Sequence, residues 1–232
     1  MTPRASFVIP AYNAQAWIAE TLRSCLNQTI KQIEIVVVND GSKDYTQEIV
    51  EAMAKEDKRI VSVNLERNVG RSEARNIGNE KAQSEVILVL DSDDLATKNR
   101  VKDTLACFEL KNPDLVYGGF QTIDTLGNIE RKFVPNAFSR EQSLKHKTHG
   151  ICHSTLAYRK GVSRNVRYES GDFSRLGIDD WKFIWDCHLK GYKFAYVKSP
   201  LSYYRLVDGT ITYTRNEEEV AKVKEAFVAA VL

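Results

Sequence analysis

Four short runs constrain this chain more than anything else in it: SFVIP (6–10), IEIVVVN (33–39), RIVSVN (59–64) and VILVLD (86–91). They are rich in β-branched residues and largely apolar at consecutive positions, the pattern of strands buried on both faces. Between them lie helical patterns. In 14–28, Ile18, Leu22, Cys25 and Leu26 recur at helical spacing after Asn13, a candidate N-cap, and segments 43–56 and 71–83 are long, polar on one side and free of proline. Doubly buried strands separated by helices predict a mostly parallel α/β sheet built from βαβ units, whose right-handed crossovers leave few topologies.

The second half is less regular. DLVYGGFQTID (114–124) and GNIERKFV (127–134) predict a hairpin, and ICHSTLAYR (151–159) a strand. A helix over 179–191, closed by Gly191, is followed by a strand over 192–197. The tail predicts a last helix capped by Asn216, with Val220, Val223, Phe227 and Val231 as its apolar stripe. It is expected to pack on the core, with dimerisation or a membrane interface as the other uses of such a helix. No repeat or low-complexity linker divides the chain, so one domain over 1–232 is expected.

Composition excludes several classes. A net charge of +2 over 232 residues gives no global attraction to nucleic acid, so any anion site must be local. The four cysteines, Cys25, Cys107, Cys152 and Cys187, are far apart and form no CxxC pair, which points to reduced thiols in a cytoplasmic protein. No run approaches the ~18 apolar residues of a membrane span. The N-terminus lacks a signal peptide's apolar stretch. Work at the inner face of a membrane stays open.

Ligands of open parallel sheets bind beyond the carboxyl ends of the strands. PAYN (10–13), NDGS (39–42) and DSDD (91–94) follow the first, second and fourth runs and would share that edge. Asp91 and Asp93, two apart, would project to one side of an extended segment. Such a pair repels unless protonated or bridged by a cation, and all-oxygen ligation favours Mg²⁺ or Mn²⁺. The competing reading is a cap on a following helix. In NVGRSEARNIG (68–78), Gly70 permits a turn, and Arg71 and Arg75 lie four apart near a helix N-terminus, suited to a diphosphate. The glycines match neither a dinucleotide-binding nor a P-loop pattern. Asp40 could accept from a base N–H or simply make an Asp-Gly turn, and Tyr12 beside Pro10 could stack on a base or only pack. In GIDDW (177–181), Asp179 and Asp180 are either helix caps or include a general base.

Taken in order, FVIPAYN, SCLNQT, IEIVVVNDGSKD, NVGRSEARNIG, VILVLDSDD, IDDW and GYKFAYVKSPLSYYR resemble the family 2 glycosyltransferases of GT-A fold, over roughly residues 5–213. The resemblance implies a metal-dependent, inverting transfer of a hexosyl or N-acetylhexosaminyl group from a UDP-sugar to a saccharide or glycolipid hydroxyl, in bacterial-type surface polysaccharide or glycolipid synthesis. It implies that Asp40 meets the uracil, that Pro10, Tyr12 and Arg75 line the nucleotide pocket, and that Arg71, Ser92 and Asp179 belong to the nucleotide-sugar site. It places Asp91 near ribose and metal, makes Asp93 the metal ligand, with Mn²⁺ or Mg²⁺ as cofactor, and makes Asp180 the base. Residues 1–112 would be the donor half, 113–213 the acceptor and catalytic half, and 214–232 the terminal helix. Tyr117, Phe120, Trp181, Trp185 and Tyr203 would shape the acceptor side where they are not core.

Two departures stand out. Asp179 occupies a position where relatives more often have glutamate, and Val207, followed by Asp208, occupies one where many have a histidine that contacts metal or diphosphate. His149 and His153 are expected to be structural. The chain ends soon after its motifs, as a minimal or truncated enzyme would. A nucleotidyltransferase would need a Gly-rich, lysine-bearing loop where PAYNAQ stands. An inactive sugar-nucleotide-binding module is the other alternative.

Overall fold

The computed structural model describes residues 2–146, 150–207 and 216–231. Every residue of β1 (Ala5–Ala11) and β2 (Ile33–Asn39) is buried, as their continuous apolar runs require. They pair in parallel, and β3 (Ile60–Asn64) and β4 (Val86–Val89) extend the sheet in parallel on either side. Helices α1 (Ile18–Leu26), α2 (Thr46–Glu56) and α3 (Arg71–Lys81) make the crossovers.

Beyond β4 the sheet changes character. β5 (Leu95–Ala96), β6 (Leu115–Ile123), β7 (Ile129–Phe133), β8 (Ala157–Arg159) and β9 (Phe194–Arg205) complete nine strands in the order β3-β2-β1-β4-β8-β6-β9-β5, with β7 paired to β6. β8 runs antiparallel to β4 and β6, whereas β9 is parallel to β6. The 114–134 hairpin forms as predicted, antiparallel through β6 and β7. The remaining helices are α4 (Arg100–Lys111), α5 (Arg140–His146), α6 (Lys160–Asn165), α7 (Asp172–Arg175), α8 (Asp179–Leu189) and α9 (Glu217–Val231).

Two layers of core cover the sheet faces. Phe7, Ile9, Ile35, Val37 and Leu88 pack on one side with Leu22 and Val50. On the other, Val8, Val36 and Val38 pack with Tyr158, Phe183 and Ile184. A third cluster joins Trp181 and Trp185 of α8 to Val220 of α9, with Phe227 edge-on to both indoles. The terminal helix thus packs on the protein, and Asn216 caps it, accepting from the N–H groups of Glu218 and Glu219.

Several expectations are corrected. Asn13 caps no helix; it adopts φ 49° and its Oδ1 accepts from Lys43 N, while α1 begins after Trp17. Residues 151–159 are not one strand: His153–Thr155 form a 3-10 turn, because Thr155 N and Oγ1 both donate to Cys152 O, and only Ala157–Arg159 are extended. The fourth run stops at Val89, so Asp91 and Asp93 do not lie on an extended segment. They sit in a turn in which Asp94 N donates to Asp91 O, and the two-residue β5 follows it in place of a capped helix. Among the described residues, no helix is long and apolar enough to cross a membrane. The four cysteines are unpaired. His149, Asp208 and the side chain of Val231 lie outside the described residues.

Candidate active site

The carboxyl ends of β1, β2 and β4 open onto a cavity of about 810 Å³. Pro10, Tyr12, Asp40, Arg71, Arg75, Asp91, Ser92 and Asp93 all line it, so the three polar strand ends do meet on one edge. A second cavity of about 310 Å³ adjoins it, lined by Asp179, Asp180, Trp181, Phe120, His153 and Ser154. Arg71, Arg75, Asp91 and Tyr204 line both.

That junction is held by charge. Arg75 is buried, and its Nη2 and Nη1 reach Asp91 Oδ1 at 2.7 Å and Asp179 Oδ2 at 2.5 Å. Arg71 binds the other oxygen of Asp179 at 2.6 Å and donates to Ser174 O. Asp179 is 1% exposed, so its first task is to hold two guanidinium groups at the start of α8. A buried carboxylate flanked this way fixes both arginines as rigid forks. Burial opposes ionisation of Asp91, but Arg75 together with the neighbouring groups leaves the carboxyl below its ordinary value. Asp93 is different: burial, then the charge of Asp91, raise it to about 6.

The turn bearing these acids is braced from three sides. Thr21 Oγ1 of α1 donates to Ser92 O. Arg205, at the end of β9, donates from Nε to Asp93 O, from its backbone N to Asp94 Oδ1, and from Nη2 to Glu20 at 2.6 Å, with its guanidinium over the Trp17 ring. Ser154 Oγ accepts from Asp91 N. Nothing in the GYKFAYVKSPLSYYR run signals this role of Arg205, since its partners are distant in the chain.

Asp40 is buried, and each carboxylate oxygen accepts one backbone N–H, from Val69 at 2.7 Å and Gly70 at 3.0 Å. Burial raises its pKa against those two bonds. It therefore shapes the entry to α3, whose first turn needs the positive φ of 91° that Gly70 supplies. Tyr12 is 48% exposed and presents an open ring to the larger cavity.

The aromatic residues divide between cavity and core, with Phe120 and Trp181 lining the smaller cavity. Tyr117 and Trp185 are buried and line neither cavity, because Tyr117 donates to Asn136 O and Trp185 packs under α9. Tyr203 pairs with Leu95 at the sheet edge, and its neighbour Tyr204 lines the site instead. His153, expected to be structural, lines the smaller cavity, and its Nε2 lies 2.9 Å from the Tyr168 hydroxyl. Burial, then Arg75, lower it to about 4. Lys224 of α9 also reaches that cavity.

Two carboxylates suit a hard divalent ion that keeps most of its positions for ligand oxygens and water. Among the described residues no cluster of three or more His, Cys, Asp or Glu completes a protein-only cage. Val207 lines the larger cavity with an apolar side chain.

Comparison with known proteins bears on the whole arrangement. Residues 6–167 match the family model described as Glycosyl transferase family 2. An uncharacterized glycosyltransferase of Methanocaldococcus jannaschii is 28% identical over 209 residues, 88% of this chain and 71% of that protein. The putative teichuronic acid biosynthesis glycosyltransferase TuaG of Bacillus subtilis is 29% identical over 216 residues, 90% of this chain and 82% of its own. The fold is similar to that of S. aureus TarS 1–349 in complex with UDP, with a TM-score of 0.69 at 22% identity, over 95% of this chain and 63% of that one. The complex of TarS with UDP-GlcNAc gives a TM-score of 0.70 over 92% of this chain and 61% of that one. This chain therefore spans less than two thirds of that TarS chain, and half of a Haemophilus influenzae glycosyltransferase to which it is 35% identical over 126 residues.

Proposed function

The chain belongs to glycosyltransferase family 2, and from that premise we propose that it moves a hexosyl or N-acetylhexosaminyl group from a UDP-sugar to a saccharide or glycolipid hydroxyl, with inversion. The observation that carries the reading is the meeting of two cavities at Arg71, Arg75 and Asp91, one holding Asp40 and Asp93, the other Asp180. A donor in the larger cavity and an acceptor in the smaller would then bring their reacting atoms together at that junction.

In this scheme Tyr12 and Pro10 flank the uracil and Asp40 accepts from its N–H through a lone pair left by Val69 and Gly70. Arg71 and Arg75 line the diphosphate side, with Ser92 beside the ribose. Asp91 and Asp93 would hold Mn²⁺ or Mg²⁺, which supplies positive charge against the departing diphosphate. Asp180 takes the proton of the acceptor hydroxyl. That oxygen attacks the anomeric carbon from the side opposite the leaving group, the bond to the diphosphate breaks, and UDP departs with the electron pair. The TarS complexes with UDP and UDP-GlcNAc support a uridine donor, and the name of TuaG supports a role in surface polysaccharide synthesis.

The test is Asp180→Asn. Turnover of the UDP-sugar should fall by a factor of about 100 or more, the usual weight of a general base, while UDP affinity by calorimetry stays within about twofold. A variant that keeps its turnover removes Asp180 from the role. A wild type that binds UDP-sugars but never turns them over, with or without saccharide, is a binding module instead.

A further inference from the structure

Among the described residues, four arginines line the larger cavity: Arg71, Arg75, Arg175 and Arg205. Three of them are committed to the scaffold. Arg75 is shared between Asp91 and Asp179, Arg71 between Asp179 and Ser174 O, and Arg205 between Glu20 and the turn at Asp93. Asp40, Asp91 and Asp93 line the same cavity, so these three arginines leave little positive charge for a diphosphate.

Arg175 is held differently. Its side chain is 54% exposed, and its carboxylate partners, Asp172 and Glu219, are themselves 68% and 41% exposed. An ion pair in contact with water is worth little, because solvent screens it and two side chains must be immobilised, so its partners exchange readily. The contact also shows what can replace the carboxylate. Nη1 and Nη2 of Arg175 each reach one oxygen of Glu219, at 3.4 and 2.5 Å. A guanidinium takes a phosphate with the same two prongs.

Its place in the fold is specific. The preceding residue, Ser174, lines the cavity too, and Ser174 O accepts from Arg71 Nη2. Ser174 Oγ stands against Gly70, where an added methyl would lie 3.9 Å from it. Arg175 is thus fastened beside the start of α3, the part of the cavity that the donor reading above, on which this inference rests, gives to the diphosphate. The terminal helix does not depend on the ion pair, since Val220 and Phe227 hold α9 to Trp181 and Trp185. Glu219 can therefore release Arg175 while α9 stays in place.

We propose that Arg175 is a further diphosphate-binding residue, which Glu219 of α9 holds until the diphosphate of the donor takes its place. The experiment compares wild type with Arg175→Gln, Glu219→Gln and Lys222→Gln. Lys222 pairs with Glu218 on α9 and lines neither cavity, so its loss removes the same charge without touching the site. Calorimetry with Mn²⁺ measures affinity for UDP directly and for uridine by competition. The expected result is a fall in UDP affinity of about five- to tenfold in Arg175→Gln and a rise of about threefold in Glu219→Gln, with Lys222→Gln within about 1.5-fold of wild type. Uridine affinity should stay unchanged in all four proteins. Both Arg175→Gln and Glu219→Gln break the tie to α9, so a merely structural tie shifts UDP affinity in the same direction in both and overturns the proposal. Equal losses in Arg175→Gln and Lys222→Gln, which mark net charge alone, also overturn it, as does an unchanged UDP affinity in either site variant or a loss shared equally by uridine. A wild type that fails to bind UDP overturns the donor reading itself.

Discussion

Asp93 bears a charge that the folded protein tolerates poorly. Burial and the neighbouring Asp91 raise its carboxyl from 3.8 to about 6, while Asp91 is kept ionised by Arg75. Between these values the folded chain holds a proton that the unfolded chain has already lost. Stability is therefore greatest at the acid end of that window and declines as pH rises through about 6, the opposite of a salt-bridged aspartate. Two pKa units correspond to about 3 kcal/mol. Asp93 is also one cause of the raised pKa of buried Asp94, so removing its charge relieves both groups. Asp93→Asn should thus become more stable relative to wild type as pH rises from 4 to 7, by about 2–3 kcal/mol in urea denaturation. Parallel pH profiles in the two proteins would show that the acids of this turn do not strain each other.

At the scale of elements, α3 decides where the two arginines stand. It carries Arg71 and Arg75 near its start and Gly78 near its end, and an added methyl at Gly78 would lie 2.5 Å from Val8 Cγ1 and 3.3 Å from Val38 Cγ2. Helix propensity alone would reward Gly78→Ala by ~1 kcal/mol. The close approach to β1 and β2 reverses the sign, and overpacking of this kind costs about 1–3 kcal/mol. A lower urea midpoint with weaker UDP binding is the expected outcome, and a stabilised variant would mean that the helix can ride outward without moving the arginines. Such contacts also explain how far the sequence could be read. Val36 to Val38 announce a doubly buried strand locally, and Arg71 with Arg75 share a helix face by spacing alone, so the first half and its polar edge were legible. Asp179 as the clamp on both arginines was not, because it lies more than a hundred positions further along the chain. Asn13 looked like a cap only because its bond to Lys43 comes from another loop, and His153 looked like strand because apolar and β-branched neighbours hide a turn made by Thr155.

For the whole molecule, the site is a joint between parts that meet only in the fold. Asp40, Arg75 and Asp93 come from the first half, Asp179, Asp180 and Tyr204 from the second, and Arg205 ties Glu20 and Asp93 to the β6–β7 turn at Asp124. A ligand across this joint is coupled to global stability, since only the folded chain presents both sides. At a hundred times its Kd a ligand adds about 2.7 kcal/mol, which for a chain of this size raises Tm by roughly 5–10 °C. The components should be strongly interdependent. Asp91 and Asp93 repel a diphosphate offered alone, and with no metal-holding cluster of three or more His, Cys, Asp or Glu among the described residues they hold a cation alone only weakly. UDP with Mn²⁺ should therefore raise Tm by more than the sum of the two separate shifts, and chelator should abolish the excess. Asp93→Asn should lose the excess while keeping any shift due to UDP alone. Equal shifts with UDP in Mn²⁺ and in chelator would mean that the acids beyond β4 do not act through a cation, and the leaving-group chemistry assigned to them would have to be sought in Arg71 and Arg75 instead.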